Sequence, residues 1–278
     1  MIEGNGVPMA VELDPGAFAV LVGTLRAAGC VFAEEEAALL CAEAPDASAL
    51  AELTRRRTAG EPLELVLGWA EFCGLRIAVE PGVFVPRRRT EFLAETAAGL
   101  LSSGDVAVDL CCGAGAVGAA LLALGAGPGE IVLHAADIDP VAVHCARRNL
   151  AEAVRQGTAY VYQGDLDAPL PTRLAQRVSV LTANVPYVPS SEVPLLPAEA
   201  RDHEPLTALD GGADGLDVLR RVAAGAASRW LRSGGSVLIE ISDRQHAPAM
   251  AAFREAGLDT RILRSEEYET SVIVGRMS

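Results

Sequence analysis

The chain is short of cations and of metal-binding patterns. It carries 23 Lys and Arg against 37 Asp and Glu, a net charge of −14. A broad nucleic-acid-binding face needs clustered Lys and Arg against phosphate, so this balance argues against one. A basic protein partner stays compatible with it. The six cysteines (Cys30, Cys41, Cys73, Cys111, Cys112 and Cys145) form no CxxC and no Cys/His ligand spacing. They read as free thiols of a reducing compartment, and no metal site is expected. The four histidines, His134, His144, His203 and His246, are scattered without ligand spacing. No apolar run approaches about 18 residues, and no basic-then-apolar segment follows Met1, so a soluble cytoplasmic protein is expected.

Half of the 278 residues are hydrophobic, enough core for one large or two modest domains. Residues 1–11 read as frayed. From Pro15 to Ala59 the pattern is helical: Phe18, Leu21, Val22 and Leu25 share a face, followed by Ala37 to Leu40 and by Leu50 and Leu53. Thr54-Arg55-Arg56-Arg57 reads as a solvated helix end, its cations suiting the helix dipole. The period over Leu63–Val79 is closer to two, which predicts a β connection over residues 61–80. From Asp105 strands alternate with helices. Strands are expected at Val106–Leu110, Ile131–Ala136, Ala159–Tyr162, from Val178, and at Ser236–Ile241. Helices are expected at Ala116–Leu124, Val141–Val154, Leu216–Leu231 and Pro248–Ala256. Two closing strands, Thr260–Leu263 and Ser271–Val274, suggest an antiparallel hairpin. Such alternation predicts an α/β fold with a doubly wound parallel sheet over residues 81–278, preceded by a small helical domain over residues 1–60.

The first of these strands runs into Asp109-Leu110-Cys111-Cys112-Gly113-Ala114-Gly115-Ala116-Val117-Gly118. Gly113, Gly115 and Gly118 fit G-x-G-x-x-G, a loop that lets a ligand approach the backbone. Asp137 ends the second strand at the distance expected of a ribose-binding acid, with Ile138 beside it. This fits NAD as well as S-adenosylmethionine. Asp109 tips the choice, because an acid at the loop entrance suits an ammonium group better than a pyrophosphate. Asp165, followed by Leu166, can accept from an adenine amino group, or serve as a turn carboxylate after Gly164. Cys111, Cys112, Gly113, Ala114 and Gly115 complete the candidate cofactor loop.

Asn184-Val185-Pro186-Tyr187 follows the Val178 strand. In an open α/β sheet, ligands bind at the carboxyl ends of strands. Asn184 offers an amide oxygen and an NH2 from one short arm. Pro186 restricts Val185 and so aims its carbonyl. Tyr187 supplies a flat face. Together they form a clamp for a planar NH2 group, with Asn184 also within reach of the cofactor. Val85-Pro86-Arg87-Arg88-Arg89-Thr90-Glu91 precedes a helix and reads as a capped helix start or as one wall of a site.

These stretches together resemble the HemK/PrmC family of protein-glutamine methyltransferases. Gly60-Glu61-Pro62-Leu63 with Glu71-Phe72-Cys73-Gly74-Leu75 is similar to its G-E-P-L…E-F-W-G-L. Residues 85–91 are similar to I-P-R-P-[DE]-T-E, residues 109–115 to D-L-G-T-G-[ST]-G, residues 184–187 to N-P-P-Y, and residues 209–216 to L-x-G-G-x-D-G-L. The resemblance implies a seven-stranded Rossmann-like methyltransferase sheet and S-adenosyl-L-methionine as cofactor. It implies Pro86, Arg87, Thr90 and Glu91 as substrate-side residues, and a protein partner such as a translation release factor. Val185, Cys111, Arg88 and Arg89 depart from the family pattern. Other readings stay open at this point: methylation of an adenine amino group or a small amide, a cofactor-binding module without turnover, and an NAD-dependent oxidoreductase. His203 lies near the substrate side.

Overall fold

The computed structural model describes residues 11–125 and 131–278, and the chain divides into two compact units between Trp69 and Ala70. The expected frayed start lies outside the described residues up to residue 10.

The first unit holds α1 (Pro15–Ala27), α2 (Ala33–Glu43), α3 (Ala47–Thr58) and α4 (Leu63–Leu67). Asp14 and Asp46 cap α1 and α3 by accepting from backbone N–H groups of the first turn. Leu21, Val22, Leu25, Ala37, Leu40 and Leu50 close one apolar core. The Thr54–Arg57 run is tied down more than a solvated helix end would be. Arg57 Nε donates to Glu36 Oε2 at 2.6 Å, with side chains 12% and 9% exposed. Arg56 pairs with Glu61 and donates to the Leu65 carbonyl at 2.9 Å. Arg55, on Glu52, stays exposed. The reason is tertiary: Glu36 is buried by helix packing and needs a cation beside it.

The stretch expected as a β connection begins with helix α4. Pro62 sets an extended backbone before it, and Gly68 at φ +80° stops it. Val66 joins the helical core, which rewards a helical period over an alternating one. Strands β1 (Trp69–Phe72) and β2 (Leu75–Ala78) follow as a two-stranded sheet.

In the second unit, α5 (Glu91–Ala98) leads into β3 (Val106–Leu110), α6 (Ala116–Leu124), β4 (Val132–Asp137), α7 (Pro140–Asn149), α8 (Ala151–Gln156), β5 (Ala159–Gln163) and β6 (Val178–Ala183). Then come α9 (Ala198–His203), α10 (Leu206–Leu209), α11 (Asp217–Gly225), β7 (Leu231–Ile241), α12 (His246–Glu255), β8 (Asp259–Ser265) and β9 (Thr270–Arg276). The sheet has seven strands in the order β5-β4-β3-β6-β7-β9-β8. β9 runs antiparallel to both neighbours, and the other pairings are parallel. The helix expected over Val141–Val154 is interrupted at Leu150, and that expected to Leu231 gives way after Gly225 to a π turn. There Trp230 is buried, its indole N–H donating to Asp167 Oδ2 at 2.7 Å.

All six residues of β6 are buried, as a central parallel strand covered on both faces requires. The chain enters the sheet at β3, winds outward through β4 and β5, then returns to β6 on the other side of β3. The strand order reverses between β3 and β6, and in such sheets ligands bind outside the carboxyl ends of the strands at that switch point. No helix among the described residues is long and apolar enough to cross a membrane.

Candidate active site

Register brings the two motif loops together. β3 pairs with β6 through Asp109↔Thr182 and Leu110↔Ala183, so Cys111 and Asn184 leave neighbouring strands side by side. β6 pairs with β7 through Ala183↔Ile239, which brings Glu240 level with Asn184.

The glycine loop needs left-handed backbone at three positions. Cys111, Gly113 and Gly115 have φ of +54°, +53° and +79°. The glycines then differ in purpose. A Cβ on Gly115 would sit 3.1 Å from Ala146 Cβ, and one on Gly118 would sit 2.9 Å from Leu133 Cδ2, so these two permit close packing. A Cβ on Gly113 would meet nothing within 4 Å, because the loop there faces open space. Within the loop Cys112 and Ala114 are buried, and the Ala114 carbonyl accepts from Asn149 Nδ2 at 2.8 Å. Burial pushes the Cys111 thiol well up, with the Asp137 charge adding to it, so this cysteine stays protonated.

Asp137 braces the loop and keeps acceptor capacity. Its Oδ2 accepts from Gly113 N at 2.8 Å and its Oδ1 from Asp139 N at 2.9 Å. Each carboxylate oxygen has a further lone pair. Ile138, beside it, is 56% exposed at the end of β4, an apolar face with no core to fill. Asp109 is buried and accepts from Gly118 N at 3.1 Å and from Thr182 Oγ1 at 3.0 Å. Burial raises its pKa to about 7 against the pull of those two hydrogen bonds. Asp165 is exposed and accepts from Arg221 at 2.6 Å, while Leu166, at φ +50°, packs into the core. Open space at Gly113, spare acceptors on Asp137 and an exposed apolar face at Ile138 fit a nucleoside cofactor, while Asp109, expected at the loop entrance, lies 1% exposed with both oxygens engaged.

The clamp is held at both ends. Asn184 Nδ2 donates to Thr90 Oγ1 at 3.2 Å, and Thr90 is buried. One N–H of Asn184 is so engaged, and its Oδ1 carries no side-chain hydrogen bond among the described residues, which leaves it available as an acceptor. Val185 and Pro186 are buried, and Tyr187 is half-buried. The Tyr187 hydroxyl accepts from the Arg89 guanidinium, whose carbon also lies 5.8 Å from the ring centre. Burial raises the Tyr187 pKa, with Arg89 pulling it back, so the phenol stays protonated. Gln245 Nε2 donates to the Tyr187 carbonyl at 2.9 Å and to the Gly215 carbonyl at 3.2 Å.

Two glycines let a neighbouring loop close on this backbone. A Cβ on Gly211 would fall 2.6 Å from the Pro186 carbonyl oxygen, and one on Gly215 would fall 2.2 Å from that of Tyr187. The Leu209–Leu216 stretch therefore buttresses the clamp. The sequence pattern assigned no site role to Gly211, Gly215, Gln245 or Glu240, and marked Arg89 only as part of a run that could wall a site. The repeated glycines of Gly211-Gly212 and Gly215 were the available signal for the first two.

The residues expected on the substrate side scatter into different duties. Thr90 supports Asn184. Glu91 Oε1 accepts from Cys73 N at 2.9 Å and so holds the β1–β2 turn. Arg87 pairs with the buried Glu204, and Pro86 is half-buried beside it. Arg88 lies 3.9 Å from Glu267, both exposed, and Arg89 Nε donates to Glu240 Oε1 at 3.0 Å. Each arginine of the run thus reaches a different glutamate. Among the described residues no group of His, Cys, Asp and Glu could hold a metal ion. His134 is buried in a stack with Tyr160 and Tyr162, away from the clamp in sequence and in bonding.

A family model described as a methyltransferase small domain matches residues 74–192, from the β1–β2 turn through the clamp. The chain is similar to a release factor glutamine methyltransferase of Streptomyces coelicolor, 38% identical over 211 residues, 73% of this chain and 71% of that one. It is also similar to a ribosomal protein uL3 glutamine methyltransferase of Burkholderia pseudomallei, 37% identical over 248 residues, 83% of this chain and 76% of that one. Among solved structures, a ribosomal protein L11 methylase from Lactobacillus delbrueckii shares the fold, with a TM-score of 0.50 and 17% identity over 73% of this chain and 86% of that one.

Proposed function

The chain belongs to the HemK/PrmC family of protein-glutamine methyltransferases, and from that premise we propose that it methylates the side-chain amide nitrogen of a glutamine in a translation release factor in the cytoplasm, using S-adenosylmethionine. The names borne by its relatives support the substrate class. The arrangement of Asn184 and Thr90 beside the glycine loop supports the chemistry.

A primary amide nitrogen is a weak nucleophile, because its lone pair is delocalised into the carbonyl. Asn184 Oδ1 accepts one N–H of the substrate amide and the Val185 carbonyl accepts the other. Both contacts push electron density onto nitrogen and fix its lone pair in one direction. The Tyr187 ring covers the amide plane. The work is orientation with electrostatic assistance: once the nitrogen takes the methyl group it becomes cationic and strongly acidic, so one of its two hydrogen-bonded protons leaves to solvent and no strong base is needed. The cofactor, when bound, supplies an electrophilic methyl group. Asp137 would hold its ribose hydroxyls, Ile138 its adenine, and ionised Asp109 its ammonium group, with the Cys111–Gly115 loop against its backbone-facing side. The helical unit would contribute recognition of the protein substrate.

The observation that carries the reading is the Asn184–Thr90 hydrogen bond, which engages the amide nitrogen and leaves the amide oxygen available as an acceptor where β6 ends beside β3. The test is transfer of a labelled methyl group to a purified release factor, with ribosomal protein uL3 as a parallel substrate. Mass spectrometry should place 14 Da on one glutamine side chain. Label in nucleic acid, or none in either protein, would overturn the reading.

A further inference from the structure

The run Arg87-Arg88-Arg89 has a purpose that the methyl-transfer chemistry does not use directly. Arg89 is the member that touches the clamp. Its guanidinium donates to the Tyr187 hydroxyl and, through Nε, to Glu240 Oε1 at 3.0 Å. Glu240 is 2% exposed, and its Oε2 is buried with no hydrogen-bond partner. By strand register Glu240 stands level with Asn184 on the neighbouring strand. The next residue, Thr90, holds Asn184. Consecutive residues at the start of α5 therefore grip the first and last residues of Asn184-Val185-Pro186-Tyr187.

We propose that Arg89 is a positioning residue of the methylation site, anchored on Glu240 and setting the plane of the Tyr187 ring that covers the substrate amide. This rests on the amide-methylation reading above. Three features make the assignment specific. Glu240 comes from the rigid sheet, so it offers a fixed anchor. A carboxylate at 2% exposure needs its cation, which keeps the guanidinium in place. A planar guanidinium with five donors can serve the carboxylate and the phenol at once, which a lysine ammonium does less well. Arg89 touches the ring and not the reacting atoms, so its loss should lower turnover by misplacing the ring, with the cofactor loop left intact.

The experiment compares Arg89→Gln, Tyr187→Phe and the two combined. Because Arg89→Gln strands a buried carboxylate, Arg89→Gln with Glu240→Gln is made as well, which removes both charges together. Turnover should fall about 10-fold in Arg89→Gln, with cofactor affinity unchanged. In the Tyr187→Phe background, which already lacks the hydroxyl Arg89 binds, Arg89→Gln should cost much less than it does in the wild type. Equal fold-losses in both backgrounds would overturn the proposal. A second readout does not require activity. The chain has four tyrosines, so the 13C-labelled ring signal of Tyr187 is identified by its absence from Tyr187→Phe. That signal should shift and average in Arg89→Gln and in the doubly neutral variant. An unchanged Tyr187 signal overturns the proposal whatever the substrate. Wild-type protein that methylates no glutamine would refute the amide reading instead, and the ring signal would still decide the role of Arg89.

Discussion

Thr90 Oγ1 accepts a hydrogen bond from the Asn184 side-chain amide at 3.2 Å, across 94 residues of sequence. That bond ties the Asn184 amide to the segment that leads into α5. Thr90→Val keeps the shape and removes the acceptor, freeing Asn184 to turn its NH2 outward. Turnover should fall about 10-fold, because a donor then faces the substrate's own N–H donors. Thr90→Ser should retain most activity. Steady-state rates at saturating cofactor check this.

Two glycines in left-handed conformation should respond differently to alanine. In Gly215→Ala the new Cβ would fall 2.2 Å from the Tyr187 carbonyl oxygen at φ +74°, so the fold should lose ~2 kcal/mol or more. In Gly113→Ala the Cβ meets nothing within 4 Å, so the backbone cost is the main loss, ~1–2 kcal/mol. That Cβ enters the open space assigned to the cofactor, so Gly113→Ala should weaken cofactor binding more than it weakens the fold. Thermal melts and calorimetric titration separate the two.

Asp109 makes the protein sensitive to pH. Its folded pKa is raised to about 7 by burial, so the native state holds a proton that the unfolded chain releases near pH 4. The stability this contributes is full below about pH 4 and is lost as pH rises toward 7. Asp109→Asn should therefore flatten the melting temperature against pH over that interval. If ionised Asp109 holds the cofactor ammonium, wild-type cofactor affinity should rise with pH through about 7, and Asp109→Asn should remove that rise. Titrations at pH 6 and 8 on both proteins check it.

Asp137 carries the ribose assignment. Both of its oxygens already brace backbone, so Asp137→Ala removes the loop's two hydrogen bonds together with the ribose acceptor, and a thermal melt on the same variant separates the two losses. Asp137→Ala should weaken cofactor binding by about 1–3 kcal/mol, the scale for losing buried charge-assisted hydrogen bonds. Unchanged affinity in titration contradicts the assignment.

The sheet was legible because its strands are short β-branched or apolar runs separated by amphipathic helices, as at Val106–Leu110 and Val178–Ala183. The Asn184–Tyr187 and Cys111–Gly115 stretches stand out in the sequence because each is continuous. Their supports do not, because they join residues far apart in sequence. Thr90 meets Asn184, Arg89 meets Glu240 across 151 positions, and Gln245 meets Tyr187 across 58. Local pattern says nothing about such pairs. Helix α4 was misread because its five residues carry too few turns for a period to show, and Gly68 marks its end as readily as a strand break. Arg56 and Arg57 read as solvated because Glu61 and Glu36 reach them through packing of the helical unit.

The central claim is that Asn184 works on the substrate amide. Initial rates of methyl transfer to the native protein substrate, with cofactor affinity measured on the same preparations, test it for Asn184→Ala. Turnover should fall by about 10²–10³-fold, the range for losing one preorganised polar contact to a transition state, while cofactor affinity stays largely intact. Near-normal turnover in Asn184→Ala would contradict the amide clamp.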